Sequence, residues 1–423
     1  MTRPAQTAAP EDQGGIAPPI PPVPRIAIEA FCETQQAISA VTAAARDRHM
    51  ARAQLGTHDG GIAAARQVFS ETTSPNVVIV ETVAGREETL GGLDALAEVC
   101  HVDTKVIVIG HVNDIKLYRE LMRRGVSDYL VAPVAPLDLV AAIGTIFSGP
   151  GVAPLGRTIA VVGAKGGTGA STIAHNLAAT IARDLGAATL IVDLDVAFGT
   201  AGLDLNQDPP QGVAEALAAP ERIDANFLDR LMVKCADNLN LLAAPAVLDR
   251  PWDLDETVVD KLLETLRATN PVVVLDVPHV WTSWARRTLI DADAIVLVAA
   301  PDLANLRNAK NMMDMLRQTR ASDRPPHLVV NQVGLPKRPE IAIAEFTKAL
   351  SIEPAAILPF DANLFGTAAN NGQMLHEVQP TAKATTIIQE LAATIMGRAK
   401  TPASGSTFLQ PFLAKLASMK VRH

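Results

Sequence analysis

The sequence is short of aromatic residues, short of cysteine, and has no excess of positive charge. Phe, Trp and Tyr make up 4% of its 423 residues, so any core must be built mainly from aliphatic side chains. The three cysteines, Cys32, Cys100 and Cys235, lie far apart and form no CxxC pair. They cannot supply a four-ligand zinc or iron–sulfur site by themselves, and they fit a reducing compartment in which each is a small buried apolar group. The nine histidines form no HxxxH or HExxH pair, which argues against a catalytic zinc site of that kind. Lys and Arg number 37 against 45 Asp and Glu, giving a net charge of −8. A protein that coats nucleic acid needs clustered cations, so that function is disfavoured. No run of 18 apolar residues occurs, and the stretch 1–24 has no continuous apolar segment of the secretory type. The expected location is cytoplasmic, at most peripheral at the inner face of a membrane.

What is present is an ordinary folded composition, 48% apolar and 19% charged, long enough for two domains with tails. Residues 1–24 read as a disordered, Pro-rich lead. Residues 25–147 read as a first α/β domain, with strand-like runs at 25–30, 76–81, 105–109 and 127–131 and helical patterns at 115–124 and 137–147. Gly and Pro mark 148–156 as a linker. Residues 157–396 read as a second α/β domain. Its first strand, 158–162, leads into a glycine loop and then a helix with Ile173, Leu177, Ile181 and Leu185 at fourfold spacing. Apolar runs at 188–192, 239–243, 272–275, 294–298 and 328–330 have the character of strands buried on both faces. Strands alternating with helices predict parallel βαβ units in both domains. Residues 397–423 are a polar spacer followed by an apolar-basic tail.

The loop carries the chemistry. A glycine loop between a strand and a helix offers successive backbone N–H groups to phosphate, and the helix N-terminus adds partial positive charge. The generic phosphate-loop pattern GxxxxGK[ST] is missed twice, by Ala164 at the first glycine and by Ala170 at the lysine.

The longer string Gly163-Ala164-Lys165-Gly166-Gly167-Thr168-Gly169-Ala170-Ser171-Thr172 resembles the deviant phosphate loop of the MinD/ParA superfamily. Asp193-Leu194-Asp195 resembles its switch aspartates, Val272-Val273-Val274-Leu275-Asp276 its Walker B strand, and Asn331 stands where that family places an adenine-contacting residue. The resemblance implies ATP and Mg²⁺ as cofactors, bound by Lys165, Gly166, Gly167, Thr168, Gly169, Ala170, Ser171, Thr172 and Asn331. It implies Ser171, Asp193 and Asp276 around the metal and Asp195 near the γ-phosphate. Lys165 matches the lysine that reaches across a homodimer to the partner's nucleotide. Ala170 replaces a lysine whose charge-assisted hydrogen bonds are worth about 1.5–3 kcal/mol each. Loss of that charge also weakens transition-state stabilisation. ATP binding with slow or absent hydrolysis is the expectation.

The first region resembles a response-regulator receiver that has lost its chemistry. Its mark is Gly125-Val126-Ser127-Asp128-Tyr129-Leu130-Val131-Ala132-Pro133, with Ala132 at the receiver's switch-lysine position. The phosphoacceptor position falls near Glu81, the Thr/Ser after the fourth strand is Gly110, and no acidic pair follows the first strand. Phosphorylation is therefore disfavoured, and the region is expected to serve in docking or dimerisation.

A disabled receiver fused to a MinD-like domain that lacks the second loop lysine is similar to the CpaE/TadZ pilus-assembly proteins. Leu358-Pro359-Phe360-Asp361 and Leu364-Phe365-Gly366-Thr367-Ala368-Ala369-Asn370-Asn371-Gly372-Gln373 add to the likeness, in what reads as a loop after a late strand. The likeness implies an assembly or localisation factor for a Flp-type pilus secretion machine, with proteins of that complex as partners. A MinD-like cycling ATPase and a ParA-type DNA partition ATPase are the alternatives. In the tail, Phe408, Leu409, Phe412, Leu413, Leu416 and Met419 share one helical face beside Lys415, Lys420 and Arg422, a pattern for a membrane surface or a protein groove.

Overall fold

The computed structural model describes residues 20, 23, 24, 26–147, 155–244, 248, 252, 254–321 and 323–398. Most of the lead, the 148–154 stretch and the whole 408–419 helix expected in the tail lie outside the described residues. Val23, at the end of the lead, is 1% exposed and donates its N–H to His49 O at 3.0 Å.

Five strands form the first sheet: β1 Ala27–Cys32, β2 Gln54–Asp59, β3 Val77–Thr82, β4 Lys105–Gly110 and β5 Asp128–Val131. They run parallel in the order β2-β1-β3-β4-β5, the order of flavodoxin-like sheets. β1, β3, β4 and β5 match the expected apolar runs to within two residues. β2 is an addition. It is an edge strand whose residues stay largely exposed, so it carries no apolar alternation to announce it.

Eight strands form the second sheet: β6 Arg157–Gly163, β7 Thr189–Asp193, β8 Val233–Ala236, β9 Leu239–Leu242, β10 Val272–Val277, β11 Ala294–Ala299, β12 His327–Val333 and β13 Ala356–Pro359. The order is β13-β12-β11-β6-β10-β7-β9-β8, parallel except for β8 against β9. The four-residue edge strands β8 and β13 are additions to the sequence reading. The alternation along β6 shows why the strands read as continuous apolar runs. Ile159 and Val161 enter the core on one face, Ala160 and Val162 the core on the other. The helix Ala170–Leu185 covers one face, with Ile173, Leu177 and Ile181 at 0% exposure.

The string after the late strand is corrected. It forms the end of β13 and then the helix Ala362–Asn371, where a loop was expected. Asp361 caps this helix by accepting the Leu364 N–H at 2.9 Å, and Gly372 ends it in the left-handed region at φ 62°.

The two sheets are joined by charge. Arg48 Nε reaches Asp323 Oδ2 at 2.6 Å and its Nη1 donates to Asp291 O at 3.0 Å, while Arg52 pairs with Glu264. Arg320 stiffens the receiving surface, donating to the carbonyls of Leu289, Ile290 and Ala292 and pairing with Asp323.

The candidate functional site

β6 lies between β10 and β11, so the chain leaves its C-terminal end toward one half of the sheet and later returns to the other. In such sheets the crevice at this point receives ligands. The segment 164–169 occupies it.

Side chains from three other segments grip the carbonyls of this loop. His279 Nδ1 is 3.0 Å from Gly163 O, and Asn308 Nδ2 donates to Ala164 O at 2.9 Å. Gln332 Nε2 donates to Gly167 O at 2.9 Å, and Asn331 Nδ2 to Thr168 O at 2.8 Å. With the acceptors held from outside, the loop's N–H groups are left for an anion, as in phosphate-binding nests. Gly167 and Gly169 sit at φ 80° and 82°, a region side-chain-bearing residues rarely enter. Ile173 N donates back to Gly169 O, so the N–H groups of Ala170, Ser171 and Thr172 are the free first-turn donors of the helix. Lys165, Gly166 and Gly167 are exposed, and among the described residues Lys165 has no hydrogen-bond or ion-pair partner. Thr168 is 3% exposed.

The acidic residues come from strand ends. Asp193 closes β7 and stands in register opposite Asp276 of β10, at 0% and 3% exposure. Asp193 accepts the N–H groups of Asp195 and Ala201, both at 3.1 Å, and so shapes the turn that follows. Asp195 is partly exposed and accepts the Phe198 N–H at 3.1 Å. Burial raises the Asp195 pKa, which the Phe198 N–H opposes and the Asp276 charge reinforces. Burial, with the Asp276 charge behind it, pushes Asp193 up to about 7. Thus Ser171, Asp193, Asp195 and Asp276 all gather at the C-terminal edge of the sheet beside the loop. Asn331 also reaches the loop, through Thr168 O.

One residue here was not anticipated. His175, one helical turn after Ser171, is fully buried, with Nδ1 2.8 Å from Asp204 Oδ2 and Nε2 3.3 Å from Asp276 Oδ2. Burial opposes its charge, yet Asp204 and Asp276 together raise its pKa to about 10. Nε2, Asp193 and Asp276 offer ligand atoms within 4.8 Å of one another. The sequence signal was weak: one of several polar residues on the buried side of the helix, with no partner nearby in the chain.

For Mg²⁺ the fit is partial. Ser171 and Asp276 are hard oxygen donors of the right kind. His175 Nε2, paired with Asp276 at 3.3 Å, is a nitrogen donor that Mg²⁺ does not favour.

In the first sheet, the carboxylate at the end of β3 is closed off. Glu81 is 0% exposed and accepts four hydrogen bonds, from Glu33 N, Thr34 N and Thr34 Oγ1 at 2.7 Å each and from His111 Nε2 at 2.9 Å. Burial raises its pKa, but those donors outweigh it and leave the carboxyl below its ordinary value. Glu81 is thus a satisfied internal carboxylate.

Residues 156–327 match the family model of an AAA domain. The septum site-determining protein MinD of Synechocystis is 27% identical over 230 residues, 52% of this chain and 82% of that protein. The structure of MinD from Pyrococcus horikoshii complexed with Mg-ADP shares the fold, at 19% identity, TM-score 0.51, over 57% of this chain and 96% of that one. The pilus assembly protein CpaE from Caulobacter crescentus is 46% identical over 30% of this chain and 96% of that chain, with a TM-score of 0.29. It is that identity, across nearly the whole of the CpaE chain, which decides the family. The chain belongs to the CpaE-like proteins of the MinD/ParA phosphate-loop superfamily.

Proposed function

We propose that this chain is an ATP-binding assembly or localisation factor for a Flp-type pilus secretion machine, acting by nucleotide-dependent homodimerisation with slow or absent hydrolysis. One observation carries the nucleotide part of this reading. Four side-chain donors hold the loop's carbonyls outward at the switch point of the sheet, which leaves its N–H groups and the helix N-terminus for phosphates. Gly166, Gly167, Thr168, Gly169, Ala170, Ser171 and Thr172 form the cradle. Ser171 and Asp276, with Asp193 behind them, would hold Mg²⁺, which supplies charge to the phosphates when bound. Exposed Lys165 is free to reach a second copy's nucleotide. Asp195 is placed to orient water at the outer phosphate.

Slow turnover follows from Ala170, because no lysine at that position follows charge as it builds on the transferring phosphoryl group. The pilus role rests on the likeness to CpaE. The 25–147 and 157–396 domains are read as a docking module and a nucleotide module, the charge pairs at Arg48 and Arg52 fixing one against the other. Contact with the inner membrane is left to the tail.

Calorimetric titration of the full chain with ATP and Mg²⁺, alongside phosphate release, tests this. Saturable binding with turnover far below the roughly 10 per second typical of enzymes is expected. Turnover in the ordinary enzyme range overturns the slow-hydrolysis reading, and absence of binding overturns the nucleotide reading.

A further inference from the structure

At its C-terminal end β12 departs from regular strand geometry. Val330 pairs with Ile357 and Val333 with Pro359, so three steps along β12 match two along β13. One extra residue is inserted there, as in a β-bulge. Gln332 takes it up in the left-handed region at φ 58°, a conformation that strains a residue carrying a Cβ. In a regular strand neighbouring side chains point to opposite faces. Here two neighbours reach the same loop: Asn331 Nδ2 donates to Thr168 O at 2.8 Å, and Gln332 Nε2 to Gly167 O at 2.9 Å.

The segment after β12 turns back and holds Gln332 in place. Gln332 Oε1 accepts from Arg338 Nη1 at 3.2 Å, and its main-chain O accepts from Arg338 Nη2 at 2.5 Å. These contacts fix the amide, since only its nitrogen can donate to Gly167 O and only its oxygen can accept from a guanidinium. Glu340 fixes Arg338 in turn. It accepts Arg338 Nη2 at 3.2 Å, the Gly334 N–H at 2.9 Å and the Leu335 N–H at 3.2 Å. Gly334 and Lys337 make the turn at φ 83° and 63°.

We propose that Gln332 is a positioning residue for the nucleotide site, and that Arg338 acts on the phosphate loop through it. Among the described residues Arg338 makes no hydrogen bond to the loop itself, so the relay runs from Glu340 through Arg338 and Gln332 to Gly167. The inference rests on the nucleotide reading above and says what keeps the cradle in shape. Strained backbone persists only where its surroundings over-determine it, and such residues gather at ligand sites. The strain at Gln332 brings a second donor to the loop carbonyls, which a straight strand could not do. With Gly167 O held, the loop is ordered before phosphate arrives, and binding no longer bears the cost of ordering it.

The test is calorimetric titration of the full chain with ATP and Mg²⁺, paired with thermal unfolding, on Gln332→Asn, Arg338→Lys and the double variant. Asn tolerates the left-handed backbone and keeps the amide, but it is one methylene too short to span Gly167 O and Arg338. Lys keeps the charge but lacks the fixed fork that contacts both oxygens of Gln332. Each single variant is expected to lose about 3–10-fold in ATP affinity, the worth of one hydrogen bond. The melting temperature of Gln332→Asn is expected to hold or rise, which separates positioning from a merely structural role. The double variant is expected to lose no more than the weaker-binding single one, because a relay is broken only once. Losses that multiply in the double variant overturn the proposal, as does wild-type affinity in both single variants. Failure of the wild type to bind ATP removes the nucleotide reading and this inference with it, whereas undiminished binding by the variants removes only this one.

Discussion

Asp193 and Asp276 face each other as register partners on neighbouring parallel strands, both buried, with His175 inserted against Asp276. Two carboxylates in that position repel each other, and the imidazole is the group that makes the pair tolerable in metal-free protein. Removing it by His175→Ala is expected to destabilise the metal-free chain by about 3–5 kcal/mol, the cost of breaking a buried ion pair from one side. Adding Asp276→Asn is expected to restore part of that loss, since the uncompensated charge goes with it. Urea unfolding of both single variants and the double variant measures the coupling. Strict additivity contradicts this account of the three residues.

The loop glycines are expected to differ sharply. Gly169 has φ 82°, and a Cβ there would meet Asn331 Nδ2 at 2.7 Å, so Gly169→Ala strains the backbone and displaces the group bracing Thr168 O. A loss of roughly 1–3 kcal/mol follows, together with weakened ATP binding. A Cβ on Gly166 meets nothing within 4 Å, and Gly166→Ala is expected to leave the melting temperature within a degree or two (about 0.5 kcal/mol). Thermal unfolding of the two variants side by side decides the matter, and equal losses refute it.

Glu81 is expected to behave as a structural anchor. Glu81→Gln replaces two acceptor oxygens by one and presents an amide N–H₂ to donors, so a loss of about 2–4 kcal/mol is expected. The folded pKa lies below the unfolded one. This carboxylate's contribution is therefore complete above the unfolded value and fades as pH falls through the lowered one. Acid unfolding of wild type and variant should converge at low pH. Stability unchanged by the substitution at neutral pH contradicts the anchoring role.

His327, at the start of β12, gives a pH effect near neutrality. Burial holds it neutral, helped by the charges of Arg157 and Arg324, and its pKa falls to about 4. The unfolded chain takes up the proton first, so stability is full above about 6.5 and declines as pH falls toward 4. The span corresponds to roughly 3 kcal/mol. His327→Leu is expected to flatten that part of the profile. An unchanged slope between pH 4 and 6.5 rules His327 out as its source.

Much of this arrangement was legible in the sequence, and the reasons are local. β6, β10 and β11 read as strands because burial on both faces writes continuous apolar runs. The loop read as a phosphate cradle because a glycine loop between strand and helix exposes backbone N–H groups, and Gly167 and Gly169 adopt positive φ in it. Ser171, Asp193, Asp195, Asp276 and Asn331 converge beside it, since strand ends in a parallel sheet share one edge. β2, β8 and β13 were not legible, because edge strands need little apolar patterning. His175 escaped for another reason. Its partners Asp204 and Asp276 come from distant segments, and no HxxxH or HExxH spacing records a contact made only by the fold. The carbonyl grips by His279, Asn308 and Gln332 were hidden in the same way.

The central claim is a nucleotide switch that works through Lys165 rather than through the missing lysine at Ala170. Sedimentation velocity of the full chain with and without ATP and Mg²⁺, repeated on Lys165→Ala, tests it most directly. The account predicts a monomer that becomes a dimer with ATP in the wild type and stays a monomer in Lys165→Ala. A wild type whose assembly ignores ATP, or a Lys165→Ala variant that dimerises as readily, would contradict it.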